Sequence, residues 1–223
     1  MPQYLTALAV LSFSTERSMI AAKIICRRGG ETGLYTYRQT LNIFVDGGFL
    51  EKVFARLGEP KIDYLQLYSW VSRQVMIPRL RTYYYHCLPY QGNPPSQEEK
   101  ERFSKKQRFF NKISSLPRSE VRLGSLAYRG NTKEETPIFE QKKVDVLMAL
   151  DIARSAFEQK ITHIALISSD SDFVPAIQMA KDKGIIAYLF YSPEIKPHHD
   201  LVEACDEVIY LTPDAVKEME LRE

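Results

Sequence analysis

The stretch Ile164-Ala165-Leu166-Ile167, followed at once by Ser168-Ser169-Asp170-Ser171-Asp172, constrains this chain more than any other. The four apolar residues offer no polar face. A run that short and uniform, set between two helical patterns, fits an interior strand of a parallel sheet. Phe173 to Lys183 then carries apolar groups at Val174, Ile177, Met179 and Ala180, ahead of Gly184, where a helix-ending glycine belongs. The residues from Lys142 up to this strand read as a helix and a loop. Two carboxylates therefore lie between the C-terminal end of a buried strand and the start of a helix. In open α/β sheets, ligands bind there.

The rest of the chain supplies partners for that edge. Leu41 to Val45 is a second apolar strand, ended by Asp46-Gly47-Gly48, and its glycines allow a sharp turn and close approach to a ligand. Phe49 to Leu57 predicts a helix stopped by Gly58, and Asp63 to Val75 a second one with Asp63 as its N-cap. Leu80 to Cys87, rich in β-forming aromatics, predicts a strand, with Tyr83-Tyr84-Tyr85 as strand core. Ser96 opens a charged helix to about Ser114, with Glu99 three residues on completing a capping box. Glu120 to Ala127 follows as a strand, and Tyr128 to Pro137 as a polar, mobile loop. Beyond Gly184 come a strand over Ile185 to Tyr191, a short helix over His198 to Ala204 and a last strand over Val208 to Leu211. Alternating strands and helices predict an α/β domain with a mostly parallel, doubly wound sheet. Met1 to Thr40 has no clear period; Arg27-Arg28-Gly29-Gly30 and Thr32-Gly33 look like loop, and the segment reads as a poorly ordered extension.

Composition narrows the setting. At 223 residues, with 44% hydrophobic and 26% charged residues, the chain has the make-up of a soluble globular domain with additions. A net charge of +2 argues neither for nor against nucleic acid. Cys26, Cys87 and Cys205 are scattered, without metal or redox spacing, as in a reducing compartment. No run approaches the ~18 apolar residues of a membrane span, and the apolar Tyr4 to Phe13 lacks a basic region before it. A cytoplasmic protein with no membrane partner is the expectation.

If the strands ending at Asp46 and Ile167 are neighbours, as at the switch point of a 3-2-1-4-5 sheet, then Asp46, Asp170 and Asp172 share one crevice. Asp145, at the start of the preceding helix, can lean over the same edge. Carboxylates so close raise one another's pKa unless a cation compensates, and hard oxygen donors suit Mg²⁺ or Mn²⁺. Such an ion can activate water and stabilise a phosphodiester under in-line attack. The competing reading is that Asp170 or Asp172 is simply a helix cap. Asp151 points about 120° away from Asp145 around the helix, toward a supporting role or a solvated face. Lys142 and Lys143 can steady a substrate phosphate or stand solvated. The tract Lys100 to Lys112 fits either a nucleic-acid surface or a helix that buries Phe103, Phe109 and Phe110, the second being the simpler. His198-His199 reads as a helix start.

The segments LNIFVDGGFL (Leu41–Leu50), QKKVDVLMALD (Gln141–Asp151), ALISSDSDFVPAIQMAKDKG (Ala165–Gly184) and LVEACDEVIYL (Leu201–Leu211), in this order, resemble the NYN domain family, also called LabA-like or DUF88, of the PIN-like ribonuclease superfamily. The resemblance implies a PIN-like three-layer α/β/α sandwich over residues 41–212, after an N-terminal extension (1–40) and before a C-terminal tail (213–223). It implies a metal-dependent ribonuclease, an endonuclease, acting on single-stranded or structured RNA with Mg²⁺ or Mn²⁺. The family's acidic positions fall on Asp46, Asp145, Asp170 and Asp172, with Asp151 as a support position. Lys142, Lys143, Ser168 and Ser169 are the candidate substrate contacts. Self-association is compatible with the sequence. Three positions depart from the usual pattern. Ser169 stands in place of a glycine, Lys143 occupies another glycine position, and the residues after Asp46 lack the asparagine that many members carry. A non-catalytic RNA- or protein-binding regulator on the same fold is the alternative. A phosphatase of the haloacid-dehalogenase type, resembled by Asp170-Ser171-Asp172, leaves too little chain for the rest of its site.

Overall fold

The structure is a computed structural model; it describes residues 7–9, 21–28, 31–131, 137–158 and 160–221, with side chains from residue 39 onward except 126–129, 131 and 137–142. Three N-terminal strands, β1 (Ala7–Ala9), β2 (Ala21–Arg28) and β3 (Glu31–Arg38), form a small antiparallel sheet. The sequence reads Arg27–Gly30 and Thr32–Gly33 as loop. In the structure Arg27 pairs with Thr32, Arg28 with Glu31 and Cys26 with Gly33, so Arg27, Arg28, Thr32 and Gly33 are strand rather than loop, while Gly29 and Gly30 lie outside the described residues. Of the extension expected to be poorly ordered over residues 1–40, residues 1–6, 10–20 and 29–30 lie outside the described residues.

β4 (Leu41–Asp46) then enters the centre of a seven-stranded sheet. The elements that follow are α1 (Gly47–Arg56), α2 (Tyr64–Val75), β5 (Arg79–Cys87), α3 (Gln97–Ser114), β6 (Ser119–Asn131), β7 (Pro137–Lys142), α4 (Val144–Phe157) and β8 (His163–Ile167). A single 3₁₀ turn, Ser171–Phe173, leads into α5 (Val174–Asp182), β9 (Ile186–Tyr191), α6 (His199–Ala204), β10 (Glu207–Tyr210) and α7 (Pro213–Glu218). The strand order is β10-β9-β8-β4-β5-β6-β7, and all pairs are parallel except β6–β7. The expected 3-2-1-4-5 order is present at its centre. It is extended by β10 on one side and by the antiparallel β7 on the other. β7 corrects the expectation of a mobile loop over 128–137, since β6 continues to Asn131 and pairs back on β7; residues 132–136 lie outside the described part.

Both faces of the sheet are covered. On one side Ile43, Val45, Tyr84, Ala165 and Ile167 pack against α1, α2, α3 and α7; on the other Phe44, Tyr83, Tyr85, Ile164 and Leu166 pack against α4, α5 and α6. Strand residues alternate strictly between the two clusters, as the period of two requires. Full burial of side chains such as Phe44, Leu50 and Leu166 contributes about 1.5–3 kcal/mol each. Residues 213–221, expected as a tail, instead dock α7 on the core through Ala215, Val216 and Met219, and the Leu221 N–H donates to the Lys61 carbonyl.

Candidate metal centre

Adjacent central strands bring the carboxylates together. β4 and β8 pair in register from Leu41–His163 to Val45–Ile167, so Asp46 and Ser168 come next to each other at the C-terminal edge. Phe44 and Leu166 face α4 and α5, and two residues on, Asp46 and Ser168 share that parity. Asp46 is also the N-cap of α1: its Oδ1 accepts from the Phe49 N–H at 3.0 Å. Its Oδ2 accepts from the Ser168 hydroxyl at 3.1 Å, and the same hydroxyl oxygen accepts from the Asp170 N–H at 3.2 Å. Ser168, expected to touch substrate, is fully buried and orients Asp46 instead. Asp170 Oδ1 in turn accepts from the Asp172 N–H at 2.9 Å, capping the 3₁₀ turn. Cap and metal ligand are thus compatible roles for Asp46 and Asp170, because each cap bond occupies one oxygen lone pair of several.

The turn also has to be followed by a helix, and the sequence provides for it. Val174-Pro175 opens α5 with a proline in its first turn, where no N–H is needed, and Gly184 ends the segment at φ +77°. At the other carboxylate, Gly47 is required by close approach. A Cβ there would lie 2.6 Å from the Tyr84 ring and 2.7 Å from His86, so only glycine lets α1 start directly at Asp46.

Asp145 stands in the first turn of α4. Its carboxyl is pushed up by burial and then by the charges of Asp170, Asp46 and Asp172. The Asp46 carboxyl is also raised, chiefly by burial, against the opposing pull of the Phe49 and Gly48 N–H groups, the Ser168 hydroxyl and Lys52. Asp145 therefore lies within electrostatic reach of the other three sequence-selected aspartates. No salt bridge among the described residues involves any of them. Nor do any three bring oxygens mutually within 4.8 Å; the described set that does is His199, Asp200 and Glu203, exposed on α6. There His198 caps the helix through Nδ1 and His199 pairs with Glu203, as suits a helix start. An all-oxygen donor set is of the chemistry that would suit a hard divalent cation.

The remaining candidates spread around this edge. Lys143 is exposed immediately before α4, at φ +73°, the backbone conformation that a glycine in this position adopts freely. The Lys142 side chain lies outside the described residues. Ser169 is partly exposed at the end of β8. Asp151 sits apart from the four. It accepts from the Tyr85 hydroxyl at 2.9 Å, pairs with Arg154 at 2.9 Å and approaches Arg122 at 3.6 Å, tying α4 to β5 and β6. On α3 Phe110 is buried and Phe109 packs against the core, as in the simpler reading of that tract, whereas Phe103, expected to be buried with them, is partly exposed and outside the core cluster. A shallow concavity along α3 near Lys100, Lys105 and Arg108 includes none of the four aspartates.

A second network went unread in the sequence. His86 on β5 meets Glu51 on α1 through Nε2 at 3.0 Å, and Lys106 on α3 meets the other Glu51 oxygen. His86 Nδ1 lies 2.7 Å from the Cys87 backbone nitrogen and 2.9 Å from the Cys87 carbonyl oxygen. This network locks α1, and with it Asp46, to the sheet. The shared parity of Tyr84 and His86 was the available sign that His86 faces α1, but nothing local announces Glu51 or Lys106.

No curated protein matches the chain. Among solved structures, a protein of unknown function, VPA0982 from Vibrio parahaemolyticus RIMD 2210633, is similar in fold, with a TM-score of 0.54 at 16% identity over 82% of this chain and 96% of that one. Among the described residues no helix is long and apolar enough to cross a membrane. The sequence profile of the NYN domain matches residues 41–212, the whole span from the first central strand to the end of β10 and its following turn. With the parallel sandwich and its acidic edge in view, the chain is a member of the NYN domain family, on the PIN-like nuclease fold.

Proposed function

We propose that this protein is a divalent-metal-dependent ribonuclease, an endonuclease on single-stranded or structured RNA, working at the edge formed by Asp46, Asp145, Asp170 and Asp172. The observation that supports the reading is the state of Asp145. Burial and three neighbouring carboxylates all push its carboxyl up, and no described cation offsets them. Folding leaves negative charge concentrated here, and a divalent cation removes that cost. The four aspartates would hold Mg²⁺ or Mn²⁺; such an ion lowers the pKa of bound water and offsets charge developing on a phosphodiester.

The chain's own groups do the rest. The Phe49 N–H and Ser168 hydroxyl hold the Asp46 carboxylate in one orientation. Lys143, exposed beside Asp145, supplies a point charge for a substrate phosphate, with Lys142 next to it in sequence. Ser169, partly exposed, can donate to a phosphate oxygen.

The test is Asp170→Asn. The amide keeps the cap on the Asp172 N–H, so the fold persists, while Mn²⁺-dependent cleavage of single-stranded RNA is expected to fall at least about a hundredfold. Cleavage equal to wild type would end the assignment. One observation favours a second reading, a non-catalytic RNA- or protein-binding regulator: the four carboxylates do not converge to direct-ligand spacing. RNA binding that persists in EDTA, with no turnover in Mn²⁺, would select it.

A further inference from the structure

The basic tract of α3 divides between two faces. Phe110 and Ile113 are buried, Phe109 packs against the core, and Lys106 turns inward to Glu51 on α1. The outer side carries Arg102, Lys105, Arg108 and Lys112, all exposed. From Arg102 to Arg118 the chain has six cations and no carboxylate, in a protein whose net charge is +2.

The four outer cations are three, three and four residues apart, so each neighbours the next on the helix surface. None forms an ion pair among the described residues, whereas Arg81, Arg122, Arg154 and Lys181 do. The acids of α3 are confined to its start. Glu99 is taken up by the capping box, with Arg102 acting on it only at longer range, and Glu101 accepts from Gln97. The helix dipole favours a cation in the last turn, which accounts for Lys112 but not for Lys105 or Arg108. A row of like charges held side by side costs the folded chain free energy, and a polyanion along the row removes that cost.

The neutral residues of the row narrow the polyanion. Ser104, Gln107 and Asn111 are exposed hydrogen-bond donors of the kind that contact phosphate and sugar. An anionic membrane fits less well, because a helix that lies in a bilayer inserts its apolar face, and that of α3 is packed on the core. Position agrees. α3 follows the loop that leaves the C-terminal end of β5, the edge at which Asp46 ends β4. The row begins about 8 Å down the helix and runs for about 15 Å.

We propose that the outer row of α3 binds the phosphate backbone of single-stranded RNA. That the strand is RNA rests on the reading of the acidic edge; the binding itself requires no cleavage. Phosphate contacts carry no base identity, so the surface is indifferent to sequence.

Fluorescence anisotropy with a labelled oligouridylate of about 20 nucleotides tests it, in EDTA so that nothing is cut. Lys105→Gln/Arg108→Gln/Lys112→Gln is expected to bind at least about tenfold more weakly at low salt. Its slope of log affinity against log salt is expected to be shallower by about two, since each single-strand phosphate contact contributes about 0.7. Oligoadenylate is expected to lose the same factor. Lys160→Gln/Lys196→Gln/Lys217→Gln removes the same charge from exposed positions elsewhere and is expected to stay within about twofold of wild type. Asp170→Asn is expected to bind as wild type does, so a failed nuclease assignment leaves this result standing. Circular dichroism checks that each variant folds. A wild type that does not bind, an α3 variant with wild-type affinity and slope, or an equal loss in the control variant would overturn the proposal. So would an α3 variant that loses phosphatidylserine vesicles but keeps RNA, which would assign the row to a membrane surface.

Discussion

The acidic groups near the sheet's C-terminal edge fall into two kinds. Glu51 and Asp151 are paired: Glu51 with the Lys106 ammonium and, through a hydrogen bond, with His86, Asp151 with Arg154, with Tyr85 and Arg122 around it. Burial pushes the Glu51 carboxyl up, but the His86 and Lys106 hydrogen bonds outweigh it and hold it at about 2. Asp46 and Asp145 are the opposite case, with carboxyls held above the ordinary range by burial and, for Asp145, by like charge. The same residue types on the same fold thus do different work. Where the chain uses a carboxylate to hold elements together, it pairs it with a cation; among the described residues the four central aspartates form no ion pair, Lys52 acting on Asp46 only at longer range, and the excess charge is what a divalent ion would bind.

The contrast can be broken most sharply at the central edge. Asp145→Asn is expected to cost at least about a hundredfold in Mn²⁺-dependent RNA cleavage while leaving thermal stability equal or slightly higher, because it removes a carboxylate that its neighbours repel. Next in size is Gly47→Ala. Its Cβ would press on Tyr84 and His86, and overpacking of this kind costs about 1–3 kcal/mol, read as a lower midpoint in urea unfolding. Glu51→Gln follows, at about 1 kcal/mol. That is well below what the shift alone implies, because the Glu51 side chain is 43% exposed and solvent screens the pair.

The pH dependence carries both signs. Glu51 is depressed in the folded state, so its contribution is fully present above pH 4.5 and is lost as pH falls toward about 2. Asp46 and Asp145 are raised from 3.8, so the folded state takes up protons first and stability climbs as pH falls through their folded pKa values. Without metal, denaturation at a series of pH values should therefore show stability rising below neutrality before it collapses. Asp145→Asn should flatten the rise and Glu51→Gln the collapse. The smallest effect is Lys143→Gly. Relief of the positive φ is partly offset by the freer unfolded chain, leaving a gain of about 0.5 kcal/mol or less in the same unfolding measurement.

Much of this was legible because it is local. Ile164–Ile167 reads as a buried strand from its own four side chains, Asp63 and Ser96 announce their helices, and Asp46, Asp145, Asp170 and Asp172 are marked by strand ends and helix starts. The Ser168 role was less accessible. Its hydroxyl turns inward to Asp46 across 122 residues of chain, and only the register of β4 on β8 reveals it. The Glu51–His86–Lys106 network spans separations of 35 and 55 residues, with no spacing rule to announce it. Likewise Arg27-Arg28 and Thr32-Gly33 carry loop-forming glycines around them, yet pairing between the two segments makes them strands.

The central claim is that the four aspartates, and no other acidic cluster, bind the ion. Thermal unfolding with and without Mn²⁺ tests it directly, using wild type, Asp170→Asn and, at the exposed His199–Asp200–Glu203 set, Glu203→Gln. The expected result is a Mn²⁺-dependent rise in Tm for wild type and Glu203→Gln that disappears in Asp170→Asn. A rise that survives in Asp170→Asn, or is lost in Glu203→Gln, would contradict the account.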